Sequence, residues 1–382
     1  MKVLFSGGGT GGHISPALAM ADIIKSNVKD TEIAFVGTPY GIENSLIPAA
    51  GYKLYHVNVR GIQRSFSLSN VKSLYLALSS PRKAKKIIKE FAPDIVIGTG
   101  GYVCWPALKA ASDMGIPTVL HESNALPGMA VRKLQNNVDV VLTNFESTKD
   151  LLSSEANVIN VGNPLRSACS SYSKEEARKK LGISDKFKFV VLSFGGSMGS
   201  ERINHAAAEM MGSFALNCED VMCFHVGGKK NFESAKNYFS AYGLERNKRF
   251  VLMEYTNDLP IYMAAADVVI CRAGAMTLTE ISKMGKAAII IPSPNVVDDH
   301  QYKNAKVLAD ADAAVVIRED ELNVDGKCRV CETVKELYQN EAYRERMSRN
   351  IRKFAKDDVE KSIFKVIDDL IKARKKIITK GE

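Results

Sequence analysis

The run Ser6-Gly7-Gly8-Gly9-Thr10-Gly11-Gly12-His13 follows a short apolar stretch, residues 2–5, and leads straight into a helical pattern at 14–25. Five glycines in six positions leave no β-carbon between backbone and ligand, so the amide N–H groups can close around a bulky anion such as a phosphate. The helix that follows turns its positive dipole end and its unpaired N–H groups toward the same spot, which favours an anion there by roughly 0.3–1 kcal/mol. Gly7-x-Gly9-x-x-Gly12 has dinucleotide spacing, but that chemistry needs a carboxylate at the end of the second strand to hold a ribose. The second apolar run, 32–36, ends in Gly37-Thr38, which argues against a nicotinamide or flavin. No Gly-Lys-Ser/Thr closes the turn, so it is not a Walker loop either. His13 is expected where loop becomes helix.

Downstream, apolar β-branched runs alternate with helical patterns. Helices are expected near 42–50, at 103–114 and near 129–135, and strands at 53–57, 94–98, 117–121 and 139–143. Strands so continuously apolar are buried on both faces, and their alternation with helices predicts a parallel, doubly wound α/β sheet. Such sheets bind ligands past the carboxyl ends of their strands. Here those positions are Gly7 to His13, Thr99-Gly100-Gly101-Tyr102 and His121-Glu122-Ser123-Asn124.

Around Val161-Gly162-Asn163-Pro164-Leu165-Arg166 the pattern gives way to a polar stretch. A domain boundary is expected there, dividing the chain into 1–163 and 164–360, with a C-terminal helix and basic tail in 361–382. Ser173-x-x-Glu176 is a capping box opening a helix that stops at Gly182. A second apolar run then enters Gly195-Gly196-Ser197-Met198-Gly199-Ser200, repeating the architecture of the first turn. Strands at 221–226, 249–253, 267–271, 288–291 and 314–317 complete a second doubly wound domain, expected to face the first across a cleft. Arg272-Ala273-Gly274-Ala275-Met276-Thr277-Leu278-Thr279-Glu280 leaves a strand and enters a helix. Its helix start suits a diphosphate and Glu280 suits a ribose diol, the other reading being a solvated glutamate. A proline-marked loop, 292–301, carries Asp298, Asp299, His300 and Gln301 to the mouth of the cleft; alone, that quartet also reads as an acidic helix start.

At 382 residues the chain exceeds the size of a single core, and 46% apolar content can fill two. Seven cysteines lie mostly within apolar runs, as reduced core thiols of a cytoplasmic protein do. Cys328-x-x-Cys331 has no second pair or histidines near it and reads as two thiols on a helix rather than as zinc or redox chemistry. No apolar run approaches the ~18 residues of a spanning helix, and no basic leader with an apolar core precedes the first strand, so a soluble or peripheral protein is expected. The net charge of +9 is concentrated: Arg60 to Lys89 holds eight basic residues and no acidic one, around an apolar stretch that includes Leu74 and Leu78. Pro81 is expected to break the helix there. Apolar surface bordered by Arg82, Lys83, Lys85 and Lys86 suits an anionic bilayer, the alternative being a solvated basic helix packed on the sheet. Without aromatic interleaving or a groove-reading motif, no nucleic-acid partner is expected.

Seven motifs then fall into one order: 7–13, Gly100-Gly101-Tyr102-Val103, His121-Glu122-x-Asn124, Gly162-Asn163-Pro164-x-Arg166, Gly195-Gly196-Ser197-x-Gly199, Arg272-x-Gly274-Ala275-x-Thr277 and Asp299-x-Gln301-x-x-Asn304. Over nearly the whole chain they resemble the MurG-type bacterial peptidoglycan N-acetylglucosaminyltransferases of glycosyltransferase family 28. The resemblance implies a GT-B fold of two Rossmann-like domains, with a C-terminal helix crossing back to the first. It implies inverting transfer of N-acetylglucosamine from UDP-N-acetylglucosamine to lipid I, an undecaprenyl-diphospho-muramoyl-pentapeptide, giving lipid II at the cytoplasmic face of the cell membrane.

On this resemblance the donor's uracil and ribose lie near Arg166 and Glu280, and its diphosphate at Ser197 and the helix start of Ala275, Met276 and Thr277. Gln301 holds sugar hydroxyls, and Thr10, Gly11, Gly12 and Asn124 close over the sugar. Gly8, Gly9, Gly100, Gly101 and Tyr102 receive the acceptor. His13 is the candidate base; the alternative is a helix cap or a phosphate contact. No metal and no cofactor are expected, since helix dipoles can balance the leaving diphosphate and the UDP-sugar is a substrate. The peripheral-membrane reading gains weight, and the family implies a place in cell-wall synthesis, cell shape and division, with other proteins of that machinery as partners. Val131-Arg132 stands where many relatives carry Asn-Lys, and Thr256 where an isoleucine is frequent. A UDP-N-acetylglucosamine 2-epimerase on the same fold and a non-catalytic adaptor are the rival readings.

Overall fold

The computed structural model describes residues 1–59, 68–165 and 172–381, with the backbone alone described at 68–78, 378, 380 and 381. The chain forms two compact units, Met1–Arg166 with Lys356–Glu382, and Ser167–Ala355.

In the first unit the elements alternate: β1 (Lys2–Ser6), α1 (Gly11–Asn27), β2 (Glu32–Gly37), α2 (Glu43–Ala49), β3 (Lys53–His56), α3 (Leu68–Phe91), β4 (Ile95–Gly98), α4 (Cys104–Asp113), β5 (Thr118–Glu122), α5 (Met129–Leu134), β6 (Val140–Thr143) and β7 (Val158–Asn160). The strands lie in the order β3-β2-β1-β4-β5-β6-β7 and every pair is parallel. Side chains alternate across the sheet: Val3 and Phe5 join Ile14, Met20 and Ile97 on one face, while Leu4 joins Val96, Ile88 and Leu108 on the other. Both faces are covered, so these strands are apolar throughout.

The second unit repeats the plan with α6 (Lys174–Lys180), β8 (Phe189–Phe194), α7 (Glu201–Ser213), β9 (Val221–Val226), α8 (Phe232–Ala241), β10 (Phe250–Met253), α9 (Leu259–Ala265), β11 (Val268–Cys271), α10 (Ala275–Met284), β12 (Ala287–Ile290), α11 (His300–Ala309) and β13 (Val315–Val316). Its six strands are ordered β10-β9-β8-β11-β12-β13, again all parallel. A hairpin of β14 (Asn323–Val324) and β15 (Lys327–Cys328) leads into α12 (Arg329–Gln339) and α13 (Glu341–Arg352). The last helix, α14 (Val359–Gly381), places Ile363, Ile367 and Ile371 in the same core as β1 and α1, closing the first unit. Strand order reverses between β1 and β4 in one sheet and between β8 and β11 in the other, which puts a ligand crevice at each reversal.

Three expectations are corrected. Helix α1 begins at Gly11, so Gly11, Gly12 and His13 form its first turn instead of the loop before it. Pro81 lies inside a continuous α3. Ala84, Ile87, Ile88 and Phe91 pack into the core beyond it, and that packing outweighs the lost hydrogen bond. Cys328 and Cys331 are disulfide-bonded. Cys328 is the N-cap of α12, accepting from Cys331 N at 3.1 Å, so it precedes the helix rather than lying within it.

Candidate functional site

At the reversal in the first unit, two turns meet. The turn after β1 carries Gly8 and Gly9, with Thr10 as a non-helical N-cap whose side chain makes no capping bond, leaving the first N–H groups of α1 for a ligand. The turn after β4 is Thr99-Gly100-Gly101-Tyr102, and Thr99 Oγ1 donates to His13 O at 2.7 Å. Cys104, buried beneath this turn, shares its one Sγ hydrogen between Ser6 O at 2.8 Å and Gly100 O at 2.9 Å, and burial pushes its pKa up to about 12. The turns approach so closely that a β-carbon on Gly101 would lie 2.5 Å from Gly8 O, and one on Gly100 2.6 Å from His13 Cδ2.

His13 is half-buried at this junction. Its Nδ1 lies 2.9 Å from Gly8 O and 3.3 Å from Thr10 Oγ1. A carbonyl only accepts, so Nδ1 carries the proton and Nε2 holds the free lone pair of the neutral ring. Burial lowers the His13 pKa, opposed in part by the bond to Gly8 and by the charge of Glu43, so the ring is neutral at pH 7.

Glu43, in the first turn of α2, is a buried carboxylate beneath the glycine turn that sequence reasoning missed. Fully buried, it accepts from Thr38 N at 2.9 Å, from Thr38 Oγ1 at 2.7 Å and from Gly9 N at 3.1 Å. Burial pushes its pKa up, but those bonds outweigh it and hold the carboxyl below the ordinary glutamate value. Gly8, Gly37 and Gly41 make the room: a β-carbon on any of them would come within 2.8 Å of Glu43. Asn124 sits past β5, where Glu122 accepts from its backbone N at 2.9 Å and its Nδ2 at 3.1 Å, fixing the side chain.

In the second unit the turn after β8 interlocks with the turn after β9. A β-carbon on Gly199 would lie 2.0 Å from Gly227 O, and one on Gly228 2.1 Å from Gly199 N. Lys229 N and Lys230 N donate to Ser197 O and Met198 O, each at 3.2 Å, which turns the loop carbonyls away and leaves the Gly195–Ser197 edge rich in N–H groups. Beneath it, buried His225 contacts Ser193 Oγ at 2.8 Å and Asn204 Oδ1 at 3.0 Å, while Asn204 Nδ2 donates to Gly227 O at 3.1 Å.

Across the reversal, α10 starts at Ala275 behind a Gly274 cap that offers no side chain, so the N–H groups of Ala275, Met276 and Thr277 form a ready anion site. Glu280 lies further along the same helix and is partly exposed. Arg272 braces the turn by donating to Ile291 O at 3.0 Å and Ser200 Oγ at 2.6 Å, and by its ion pair with Glu319. Gln301, in the first turn of α11, accepts from Ser293 N at 2.9 Å, which engages its amide oxygen and orients the amide group.

The turns after β1 and β4 bring Gly8, Gly9, His13, Gly100 and Gly101 together; the first unit also carries Thr10, Gly11, Gly12, Tyr102 and Asn124, and the second carries Ser197, Ala275, Met276, Thr277, Glu280 and Gln301. Arg166 lies outside the described residues, as do the side chains of Leu74 and Leu78. Arg82, Lys83 and Lys86 are exposed on α3, whereas Lys85 pairs with Asp113 at 3.4 Å. Among the described residues no helix is long and apolar enough to cross a membrane, and no group of three or more His, Cys, Asp or Glu could hold a metal ion.

Residues 3–143 match the glycosyltransferase family 28 N-terminal domain and residues 190–363 its C-terminal domain. A UDP-N-acetylglucosamine–N-acetylmuramyl-(pentapeptide) pyrophosphoryl-undecaprenol N-acetylglucosamine transferase from Thermoanaerobacter sp. (strain X514) is 39% identical over 97% of this chain and 100% of its own length. The enzyme of that name from Lactiplantibacillus plantarum is 37% identical over 97% and 100%. Among solved structures, Acinetobacter baumannii MurG superposes with a TM-score of 0.76 at 26% identity, covering 96% of this chain and 99% of that one. A UDP-GlcNAc 2-epimerase from Neisseria meningitidis, bound to UDP-GlcNAc, shares the fold, with a TM-score of 0.63 at 16% identity over 97% and 100%.

Proposed function

Because the chain belongs to glycosyltransferase family 28 and has its GT-B fold of two Rossmann-like domains, we propose that its two strand-reversal sites divide the work of one sugar transfer. The protein is a UDP-N-acetylglucosamine-dependent hexosyltransferase of peptidoglycan synthesis. It moves N-acetylglucosamine from the UDP donor to lipid I, the undecaprenyl-diphospho-muramoyl-pentapeptide, and forms lipid II.

The second domain takes the donor. Ser197 and the N–H groups of Ala275, Met276 and Thr277 receive the diphosphate, Glu280 accepts from the ribose, Arg166 serves the uracil, and Gln301 donates its amide to the sugar. The same N–H groups stabilise the charge that builds on UDP as it leaves. In the first domain, Gly8, Gly9, Gly100, Gly101 and Tyr102 receive the acceptor, and Thr10, Gly11, Gly12 and Asn124 close on the sugar. His13 Nε2 takes the proton of the attacking muramoyl hydroxyl, and the anomeric carbon inverts in a single displacement. The exposed basic side of α3 rests on the anionic cytoplasmic face of the cell membrane, where the acceptor resides, alongside other proteins of wall assembly and division.

The observation supporting this most directly is the tautomer of His13: Gly8 O claims the Nδ1 proton, so the neutral ring offers a base at Nε2. The test incubates labelled UDP-N-acetylglucosamine with and without a lipid I analogue. Transfer should require the lipid and fall by about 10²–10⁴-fold in His13→Ala. Conversion of the UDP-sugar without lipid would instead mark an epimerase.

A further inference from the structure

The hydrogen bonds at Gly8 and Gly9 belong to one peptide group. Its N–H, on Gly9, donates to Glu43 Oε2 at 3.1 Å, and its C=O, on Gly8, accepts from His13 Nδ1 at 2.9 Å. A buried carboxylate, a peptide unit and an imidazole therefore stand in one hydrogen-bonded chain. We propose that Glu43 is a positioning residue for His13, acting through the Gly8–Gly9 peptide as the acidic member of a relay whose central link is backbone. This rests on the reading of His13 as the base.

The physical case has three parts. A charged acceptor on the N–H side of an amide polarises it and deepens the negative charge on its oxygen, strengthening the bond that oxygen accepts. Gly8 O then holds the Nδ1 proton firmly and keeps Nε2 bare. When Nε2 gains a proton, the imidazolium that forms is stabilised through the same peptide and by the nearby negative charge. Third, the carboxylate is locked: two donations from Thr38 fix Oε1, and glycines at 8, 37 and 41 leave the space that Glu43 fills. A glutamate needed only to start α2 could have faced water. Among the described residues Glu43 is the charged group that bears on His13, and Tyr102 is the titratable side chain over Gly9, with Cε1 3.6 Å from the position of a β-carbon there.

The experiment follows the His13 ring nitrogens by NMR in the full-length protein, assigned with His13→Gln, alongside the pH profile of transfer to a lipid I analogue. In Glu43→Gln the His13 pKa should fall by about one unit, the acid limb of the rate profile should move down with it, and the plateau kcat should drop roughly three- to tenfold, as expected for a weaker base. KM for UDP-N-acetylglucosamine should hold within about twofold, as a merely structural defect would not allow. Glu43→Asp keeps the charge but withdraws it by one methylene, giving an intermediate titration and a measurement should the glutamine variant not fold. An unchanged His13 titration in both variants overturns the relay even if His13→Gln abolishes transfer. Wild-type transfer by His13→Gln removes the base reading, and the relay's role with it.

Discussion

Gly101 shows how one residue type protects the site. Its φ is +81°, and a β-carbon would lie 2.5 Å from Gly8 O, the atom that holds His13. Gly51 has nearly the same φ, +80°, with nothing within 4 Å of its would-be β-carbon. Alanine at either position adds left-handed backbone strain of about 1–2 kcal/mol. Gly101→Ala should also displace Gly8 and lower kcat by at least roughly tenfold, whereas Gly51→Ala, with the strain alone, should show a smaller fall in thermal midpoint with activity intact. Steady-state assays beside thermal melts separate the two. The glycine run and His13 are legible in the sequence because their spacing is local. Glu43 is not: a glutamate in a first helical turn reads as a solvated acid. Only the folded chain brings Gly8, Gly37 and Gly41 around it.

At the level of elements, the turns that follow β1, β4, β8 and β11 are legible as strand, glycine and helix signals in succession, and they carry most of the candidate residues, Asn124 after β5 and Gln301 in α11 being apart. Some elements of two or three residues escape the pattern, as with β7, β14 and β15, since so short a run shows no period, whereas β13 is caught because it lies within the longer apolar run 314–317. Helix α3 is the instructive misreading. Proline removes one hydrogen bond, yet Ala84, Ile87, Ile88 and Phe91 anchor the helix beyond it. Because that face is committed to the core, Arg82, Lys83 and Lys86 point outward as a cationic side. Each basic group near an anionic bilayer is worth about 1 kcal/mol, so replacing all three with glutamine should weaken binding to anionic vesicles by roughly a hundredfold. Flotation measures this; binding equal to wild type would rule the contact out.

For the molecule as a whole, each domain keeps a neutral histidine in its interior. His121 contacts Gly162 O at 3.2 Å and His225 contacts Ser193 and Asn204, and burial lowers both pKa values to about 4 from an ordinary 6.5. Between pH 6.5 and 4 the unfolded chain binds protons that these folded rings refuse, so stability falls as pH falls through that window, by a few kcal/mol per ring at most. Chemical denaturation at pH 7 and 4.5 should show the loss, and His225→Gln should flatten it. The doubly wound character of both halves is legible because buried parallel strands are uniformly apolar. The networks around these histidines are not, because Gly162, Ser193 and Asn204 lie 21 to 41 residues away from them in sequence.

Helix α14 has a further consequence for biosynthesis. Ile363, Ile367 and Ile371 complete a core that opens with Val3, so the domain begun first on the ribosome is finished last. The contiguous stretch Ser167–Ala355 can fold as soon as it emerges. Its predecessor must wait, greasy flank uncovered, until α14 emerges, and through that interval it is the half a chaperone would hold.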